Sequence, residues 1–364
     1  MKKNLILFYP SFERGGVERI IENLILNNKK FRITLISSKN AKKRLNLKKI
    51  NFIEVNQKIK IPFIHERYLS AINAMIVLYR HLNNKKKYLI HSMQSNVAAI
   101  IISIIKRNKI IIRNSENPIY SFLYSESRFF SYISLLLKYI FYNFADGIIT
   151  NSKGSKKSLE RFIINKKKIE VIYNPYLNKI NKKKNKKSKY LITIGRLRKQ
   201  KDHETLLKAF YIFSKKNKDY KLLILGHGNL ENKLKKLANR LDIDKRVIFK
   251  GWVKNTSSYL KFSKIFILSS VYEGLGNVLI DAINHDTPCI STDCHSGPRE
   301  ILLNGKGGYL VKIKSPELLA EKIIFCTNNY KKAQKKNSFV KKTLKRFLIS
   351  GQSKKYFDYL KKHN

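Results

Sequence analysis

Acidic residues are scarce in this chain of 364 residues. Asp and Glu together number 24, whereas Lys and Arg number 76, so the formal charge at pH 7 is +52. A field of this sign attracts polyanions, among them nucleic acids and anionic membrane surfaces. Lys far outnumbers Arg, Asn and Ile are abundant, and the basic residues are spread along the whole chain. This spread favours compositional bias as the general source of the charge. The electrostatic field nevertheless attracts anions, whatever its origin.

Cysteine is equally rare, with three residues at Cys289, Cys294 and Cys326. An odd number without paired spacing excludes a disulfide framework and suits a reducing cytosol. No Cys/His spacing indicates a metal site, so each thiol is expected to be a small core residue.

Long hydrophobic runs are absent too, since no segment reaches the roughly 18–20 apolar residues of a transmembrane helix. The stretch Phe129–Phe144 comes nearest, but Lys138 interrupts it. It is predicted to be an aromatic helix, either buried in the protein or lying at a membrane interface. Met1–Lys3 leads directly into a strand-like run, so we expect no signal peptide.

What is present is a regular alternation of strand-like and helical runs in a chain that is 43% hydrophobic. Helical periodicity appears, for example, at Tyr68–His81 and Asn96–Ile105. This rhythm predicts α/β domains whose parallel sheets are covered on both faces, and the length allows two of them. The strands expected in the first half are Asn4–Tyr9, Arg32–Ser37, Asn51–Val55, Tyr88–His91, Lys109–Arg113 and Gly147–Thr150.

The stretch 269–302 carries the most chemistry. The apolar run Ile265–Leu268 predicts a strand, and a turn-prone loop with Glu273 follows it. A helix then begins near Val278 and carries Asp281. Ligands bind at the carboxyl ends of strands in open α/β sheets, and glycines and helix starts expose N–H groups to anions and hydroxyls. The two carboxylates, eight positions apart, could hold separate hydroxyl-bearing parts of one extended ligand.

Two further loops also follow predicted strands. Gly15 and Gly16 precede a helix and would aim backbone N–H groups at a phosphate. Gly195 follows the strand Tyr190–Ile194, and Arg196 and Lys201 then project from one loop. A guanidinium fork beside a point-charge ammonium suits a diphosphate.

These residues resemble the donor site of glycosyltransferase family 4. The resemblance rests on Glu273 to Asn277 with Asp281, on Thr287-Pro288, on Ser296 to Glu300, and on Gly195-Arg196 with Lys201. It implies a retaining, nucleotide-sugar-dependent enzyme with the GT-B architecture, in which two Rossmann-like, doubly wound domains face each other across a cleft. The family motif has Glu, seven residues and Glu, whereas this chain has Asp281 as its second acid.

The resemblance also implies the roles of the site residues. Arg196 and Lys201 would stabilise the departing diphosphate, Glu273 would hold hydroxyls of the transferred sugar, and Asp281 would hold the ribose. Catalysis would rest on Glu273, Arg196 and Lys201, without a metal or other cofactor. Donor binding would add Gly15, Gly16, Gly195, Gly274, Leu275, Gly276, Asn277, Val278 and Asp281.

The domain organisation is expected to follow the same plan. Residues 1–177 would form the acceptor-side domain, and the Lys-rich stretch 178–189 a solvated linker. Residues 190–345 would form the nucleotide-sugar-binding domain, and 346–364 a helix that crosses back to the first domain.

Three other features are interpreted as structural. His91 is expected to be a strand-end histidine rather than a catalyst. The family often has a histidine within the region of Arg113–Pro118, but this chain has Glu116-Asn117 there, which removes the basis for a catalytic histidine. Asp242 and Asp244 resemble a metal-binding Asp-x-Asp pair but are expected to be loop residues.

The resemblance implies transfer of a hexose or N-acetylhexosamine, with a UDP-sugar as the expected donor. Charge, the aromatic helix and cytosolic chemistry favour a lipid-linked saccharide acceptor at the inner membrane face, in surface polysaccharide or lipopolysaccharide assembly. Three alternatives remain: a sugar-nucleotide epimerase of the same fold, a basic nucleic-acid-binding protein, and a scaffold without catalysis. No nucleic-acid-reading motif favours the second, and Glu273, Arg196 and Lys201 argue against the third.

Overall fold

A computed structural model describes residues 3–12, 16–45, 50–56, 66–83, 86–125, 127–181 and 187–363. Within these residues the chain forms two all-parallel β-sheets with helices packed against them. The predicted α/β architecture is therefore confirmed.

The first sheet contains seven strands among the described residues, in the order β3-β2-β1-β4-β5-β6-β7. They are β1 (Lys3–Tyr9), β2 (Phe31–Ser37), β3 (Asn51–Glu54), β4 (Leu89–Ser92), β5 (Lys109–Asn114), β6 (Gly147–Thr150) and β7 (Ile169–Val171). Its helices are α1 (Gly16–Leu26), α2 (Lys39–Arg44), α3 (Glu66–His81), α4 (Asn96–Ile105), α5 (Pro118–Leu123), α6 (Arg128–Phe141) and α7 (Lys153–Leu159).

The second sheet contains six strands among the described residues, in the order β10-β9-β8-β11-β12-β13. They are β8 (Ser188–Ile194), β9 (Lys221–Leu225), β10 (Val247–Gly251), β11 (Ser263–Leu268), β12 (Cys289–Thr292) and β13 (Tyr309–Val311). Its helices are α8 (His203–Ser214), α9 (Glu231–Arg240), α10 (Ser257–Phe262), α11 (Asn277–Asn284), α12 (Pro298–Ile301), α13 (Pro316–Asn328) and α14 (Tyr330–Lys341), and the chain ends with α15 (Ile349–Lys362).

Residues of β1 show why these apolar runs become central strands. Leu5 and Leu7 join one hydrophobic core, whereas Ile6 and Phe8 join another on the opposite face of the sheet. Successive side chains of a strand point to opposite faces, so a strand covered on both sides must be apolar throughout.

The last helix, α15, packs against the first domain. Tyr356, Phe357 and Leu360 belong to the same core as β1 and α1. The Tyr359 hydroxyl donates to the Lys168 carbonyl at 2.7 Å and accepts from the Ile148 N–H at 3.2 Å. The chain therefore returns from the second domain to the sheet in which it began.

The described residues at the end of the predicted linker 178–189 differ from a solvated tether. Strand β8 begins at Ser188, two residues before the predicted domain start at Tyr190, and residues 182–186 lie outside the described part of the chain. Lys187 is half-buried, and its Nζ donates to the carbonyls of Leu260 and His285, both at 3.1 Å, and to Thr287 Oγ1 at 2.9 Å. Burial lowers the Lys187 pKa to about 8. The lysine-rich sequence of this stretch gives no sign that the Lys187 ammonium donates hydrogen bonds to oxygens inside the second domain.

The predicted aromatic stretch Phe129–Phe144 forms α6 followed by a 3₁₀ turn at Tyr142–Phe144. Within the described residues, the protein has no helix whose length and hydrophobicity would let it span a bilayer.

Candidate active site

The loop after β8 is held against the loop after β9. The Gly195 N–H donates to the Leu225 carbonyl at 2.9 Å, and the Leu197 N–H donates to the His227 carbonyl at 3.0 Å. Gly226 has φ +133°, and a Cβ added there would lie 2.0 Å from the Gly195 carbonyl oxygen. Only glycine allows this approach, so the two loops at the carboxyl ends of neighbouring strands pack as one unit.

A 3₁₀ turn, Lys199–Lys201, then joins the loop after β11 through three hydrogen bonds. The Val271 N–H donates to the Gln200 carbonyl at 2.9 Å, the Gln200 amide donates to the Tyr272 carbonyl at 3.0 Å, and the Ser269 hydroxyl donates to the Lys201 carbonyl at 2.8 Å. Asp202 caps α8, since its side chain accepts a hydrogen bond from the Thr205 N–H at 3.3 Å. The backbone that carries Lys201 is thus fixed on both sides.

This arrangement brings two predicted site residues into direct contact. Lys201 Nζ donates to Oε1 of Glu273, and the same oxygen accepts from the Ser270 hydroxyl at 2.7 Å. The Glu273 side chain is 8% exposed and the Lys201 side chain 16%. The Ser296 hydroxyl donates to the Glu273 carbonyl at 2.5 Å, so the predicted Ser296–Glu300 segment also supports this loop.

Arg196 lies on the same edge of the second sheet and is exposed. Its charge acts on the Tyr272 phenol, where it opposes the rise in pKa that burial causes. Gly195, Arg196, Lys201 and Glu273 therefore surround one region at the carboxyl ends of β8 and β11.

The predicted donor-binding loop, Gly274 to Val278, faces the first domain. A Cβ added to Gly274 would lie 1.9 Å from the Ser115 carbonyl oxygen, so the two backbones touch across the cleft. Leu275 is buried, and Gly276 has φ +85° immediately before α11. Asn277 and Val278 form the first turn of that helix, where N–H groups lack helical partners.

Asn277 is one of the residues through which side chains of the two domains meet. Its Oδ1 accepts from the Asn174 amide at 2.8 Å. A Cβ added to Gly16 would lie 3.4 Å from the Asn277 amide nitrogen, so the start of α1 faces the donor loop. Gly15 lies outside the described residues.

Arg113, which was given no separate role from the sequence, belongs to this network. Its guanidinium is buried at the end of β5, and Nη2 donates to Asn174 Oδ1 at 2.5 Å. Nη1 donates to the Ser115 hydroxyl. Burial lowers the Arg113 pKa, and its Nε has no hydrogen-bond partner among the described residues. A chain of contacts thus runs from Arg113 through Asn174 to the donor loop.

Asp281 is enclosed by residues on the first-domain side of the cleft. Its Oδ2 accepts from the Tyr176 hydroxyl, and its Oδ1 lies 3.9 Å from the Arg19 guanidinium, which stacks over the Tyr176 ring at 4.2 Å. Burial raises the Asp281 pKa, while Arg19 and the Tyr176 hydroxyl oppose that rise.

Further contacts close the cleft. The Tyr120 and His295 rings stack with centroids 4.0 Å apart, and Tyr124 stacks on Tyr272 at 6.3 Å. Glu300 accepts from the Tyr173 hydroxyl and from the Lys153 N–H, the latter at 2.9 Å. The two domains are therefore in contact around the site.

His91, expected to be structural, lies in the core. Its Nδ1 lies 3.0 Å from the Ile111 carbonyl and its Nε2 2.9 Å from the Tyr356 hydroxyl. A carbonyl only accepts, so Nδ1 carries the proton and the Tyr356 hydroxyl donates to Nε2. Burial lowers the His91 pKa to about 3. Asp242 and Asp244 lie between α9 and β10, as predicted, with Asp244 in a 3₁₀ turn.

Comparison with known families divides the chain at the boundary between its two sheets. Residues 177–344 match the family described as glycosyl transferases group 1, and residues 14–176 match glycosyltransferase family 4. The fold resembles the crystal structure of Anabaena HepE in complex with UDP and glucose, with a TM-score of 0.80 over 99% of this chain and 100% of that one. At 17% sequence identity, this likeness establishes the fold.

Several relatives are similar in sequence. An uncharacterised glycosyltransferase of Methanocaldococcus jannaschii is 38% identical over 232 residues, which cover 58% of this chain but only 56% of that protein. The N-acetylgalactosamine-N,N'-diacetylbacillosaminyl-diphospho-undecaprenol 4-alpha-N-acetylgalactosaminyltransferase of Campylobacter jejuni is 29% identical over 328 residues, covering 85% of this chain and 86% of that protein. The lipopolysaccharide 1,6-galactosyltransferase of Salmonella typhimurium is 29% identical over 174 residues, covering 46% of this chain and 48% of that protein.

Proposed function

We propose that this chain, which is a glycosyltransferase of the group 1 and family 4 type with the GT-B fold, moves a hexose or N-acetylhexosamine from a UDP-sugar to a saccharide acceptor. The observation that carries the proposal is the contact between Lys201 and Glu273 at the cleft. A cation suited to phosphate and an acid suited to sugar hydroxyls lie side by side on hydrogen-bonded loops.

The leaving diphosphate gains negative charge as the glycosidic bond breaks. Arg196 and Lys201 stabilise that charge, together with backbone N–H groups at the start of α11. Because these donors are held in place before the reaction, little reorganisation is needed when the charge develops. The protein's own cations replace a metal ion, so we propose that transfer is metal-independent.

Glu273 accepts hydrogen bonds from hydroxyls of the transferred sugar, and Asp281 holds the ribose. The remaining donor contacts come from Gly15, Gly16, Gly195, Gly274, Leu275, Gly276, Asn277 and Val278. The reaction retains the anomeric configuration, because the acceptor hydroxyl attacks from the face that the diphosphate leaves and gives its proton to the departing phosphate.

The acceptor is a lipid-linked saccharide at the inner face of the cytoplasmic membrane, in surface polysaccharide or lipopolysaccharide assembly. Two observations support this choice of acceptor. The Campylobacter relative is named for a diphospho-undecaprenol-linked acceptor and the Salmonella relative for lipopolysaccharide. The net charge of +52 also favours an anionic surface.

A screen of radiolabelled UDP-sugars tests the proposal. The purified protein is incubated with each donor, with and without undecaprenyl-diphosphate-linked saccharides, and both released UDP and labelled lipid are measured. We expect one donor to give labelled lipid whose new linkage keeps the donor's anomeric configuration, with EDTA present. Free epimerised sugar nucleotide with no labelled acceptor would instead indicate an epimerase.

A further inference from the structure

Helix α6 presents apolar side chains outward. None of its fourteen residues, all within the described part of the chain, is buried. Phe129 is 69% exposed, Tyr132 57% and Tyr139 56%. The apolar helix face consists of Phe129, Phe130, Tyr132, Ile133, Leu136, Leu137, Tyr139 and Ile140. A surface helix of a soluble protein normally turns polar residues outward, so this arrangement is inverted.

The opposite side of α6 explains the inversion. Ser131, Leu135, Lys138 and Phe141 are the less exposed residues, and they recur at helical spacing. Lys138, the one lysine of the helix, points towards the protein and lies 3.3 Å from Glu116 Oε1. This lysine therefore attaches the helix to the domain, while the aromatic and aliphatic residues are left on the surface.

One more exposed apolar residue, outside the helix, lies next to its C-terminal end. Ile164 is 88% exposed, and its N–H donates to Asn143 Oδ1 at 2.9 Å. The rings of Tyr139 and Phe162 lie with centroids 6.1 Å apart, which fixes the 160s loop against α6. The apolar helix face thus continues into this loop and forms one patch, larger than isolated exposed residues would explain.

Positive charge borders the patch. Arg128 is exposed at the start of α6. Arg161, Lys166 and Lys167 are exposed in the loop at its other end. Apolar residues that insert between acyl chains, surrounded by cations that meet headgroups, are the arrangement of a surface-bound amphipathic helix. A second protein copy of the same charge would instead bring these cations together.

The patch is also placed beside the cleft. Glu116, the partner of Lys138, lies two residues after the end of β5, and α5 carries Tyr120 against His295 of the second domain. The Phe122 ring of α5 lies 6.3 Å from that of Tyr132 in α6. A surface that holds α6 would therefore hold the mouth of the cleft near itself.

We propose that the apolar helix face, with Ile164, inserts into an anionic lipid bilayer and docks the first domain on it beside the acceptor side of the cleft. This inference rests on the proposed function for the reason why the protein would bind a membrane. The evidence for binding itself is the exposed apolar face of α6. The bound ligand is the bilayer surface, with anionic headgroups at Arg128 and Arg161 and acyl chains at Phe129 and Tyr132.

An environment-sensitive fluorophore on α6 tests insertion. The native cysteines are buried, so Ser134→Cys on the exposed side of α6 can be labelled selectively with NBD. Ser338→Cys, exposed on α14, is the matched control. With phosphatidylglycerol-containing vesicles we expect a blue shift and increased emission at position 134 only. Pure phosphatidylcholine vesicles and high salt should weaken the response. An unchanged spectrum at position 134 would overturn the proposal.

Flotation with the same vesicles separates the apolar contribution from charge. We expect Phe129→Ser/Tyr132→Ser/Leu136→Ser to reduce the floated fraction roughly tenfold, since less apolar surface enters the interface. The control Leu318→Ser/Phe325→Ser/Phe339→Ser removes three exposed apolar residues of the second domain and should float like the parent. Equal flotation of the two triple variants would contradict the proposal. So would a parent dimer that only the α6 variant dissociates, because a second copy would then cover the face.

Release of UDP from the donor, measured without lipid, distinguishes the two hypotheses. The α6 variant should release UDP like the parent, because its substitutions lie outside the donor site. If the parent floats but neither protein turns over any nucleotide-sugar, the proposed function fails while docking stands.

Discussion

Lys201 donates a hydrogen bond through Nζ to Oε1 of Glu273, 72 positions further along the chain. Both side chains are largely withdrawn from solvent, and the Ser270 hydroxyl donates to the same carboxylate oxygen. The backbones of the two loops are joined independently by the Val271–Gln200 hydrogen bond. The pair is therefore positioned by the fold, and its chemistry can be tested without disturbing the loops.

Contact between the domains at Gly274 should be needed for transfer. A Cβ at this position would lie 1.9 Å from the Ser115 oxygen, so Gly274→Ala forces the domains apart. We expect a loss of about a hundredfold in kcat/KM, the size that a misplacement near 1 Å can produce. Gly351→Ala is the control, because a Cβ there meets no atom within 4 Å. Being helical, that change should stabilise the protein by about 0.5–1 kcal/mol. Equal activity of the two variants would show that this contact is unimportant.

Asp281 is expected to bind the donor even though its buried carboxylate lowers the stability of the folded protein. Its pKa is raised by burial, so the folded protein binds the proton more tightly than the unfolded chain does. The stability that this proton confers is lost as pH rises from the ordinary Asp value through the raised one. Asp281→Asn should therefore leave the melting temperature at neutral pH unchanged or higher, yet weaken the additional stabilisation by UDP. Thermal unfolding with and without UDP measures both, with the exposed Asp219→Asn as control. A lower melting temperature with an undiminished UDP effect would contradict this role.

Stability should fall on mild acidification. Burial lowers the pKa of His91 and of His203 to about 3, and that of His285 to about 4. Between these values and about 6.5, the unfolded chain binds protons that the folded protein excludes. The free energy of unfolding should therefore decrease as pH falls through that window, by up to about 1.4 kcal/mol per pH unit for each histidine.

Chemical denaturation across that pH window measures the slope. His203→Gln should make it shallower by up to one proton, whereas His227→Gln, which changes an exposed residue, should not. Identical slopes in the two variants would show that His203 is not held neutral.

Arg113 should position the donor loop through Asn174. Arg113→Lys retains a positive charge but cannot reproduce the contacts of Nη1 with Ser115 and Nη2 with Asn174. We expect KM for the donor to rise about twofold to tenfold, the range set by about 0.5–1.5 kcal/mol for a hydrogen bond, with a smaller change in kcat. A stability loss with an unaltered KM would assign Arg113 to folding alone. Arg107→Lys, at an exposed position, is the control.

Much of the fold was predictable because the strands are central. A parallel strand covered on both faces must be continuously apolar, so β5 and β6 stand out within a lysine-rich sequence. The beginning of β8 was not predictable, because its first two residues, Ser188 and Lys189, are polar and exposed.

The second-domain half of the site was also predictable, since parallel strands bring their carboxyl ends to one edge. Glu273 and Lys201 follow two such strands, β11 and β8, which pair directly. The contribution of the first domain was hidden. Arg113 reaches Asn277 only through Asn174, and no local pattern relates three such distant positions. The outward face of α6 was equally hidden, because its composition fits a buried helix as well as an interfacial one.

The central claim is that Lys201 acts on the departing phosphate and Glu273 on the sugar, and single-turnover transfer from the UDP-sugar identified by the screen tests it most directly. Rates are measured for Lys201→Ala, Glu273→Ala and the double variant, with Lys199→Ala, two positions before Lys201 in the same turn, as the matched control. The account predicts a loss of about a hundredfold to a thousandfold for each single variant, a smaller than additive loss for the double variant, and a parental rate for Lys199→Ala. Transfer by Lys201→Ala and Glu273→Ala at the rate of Lys199→Ala would contradict it.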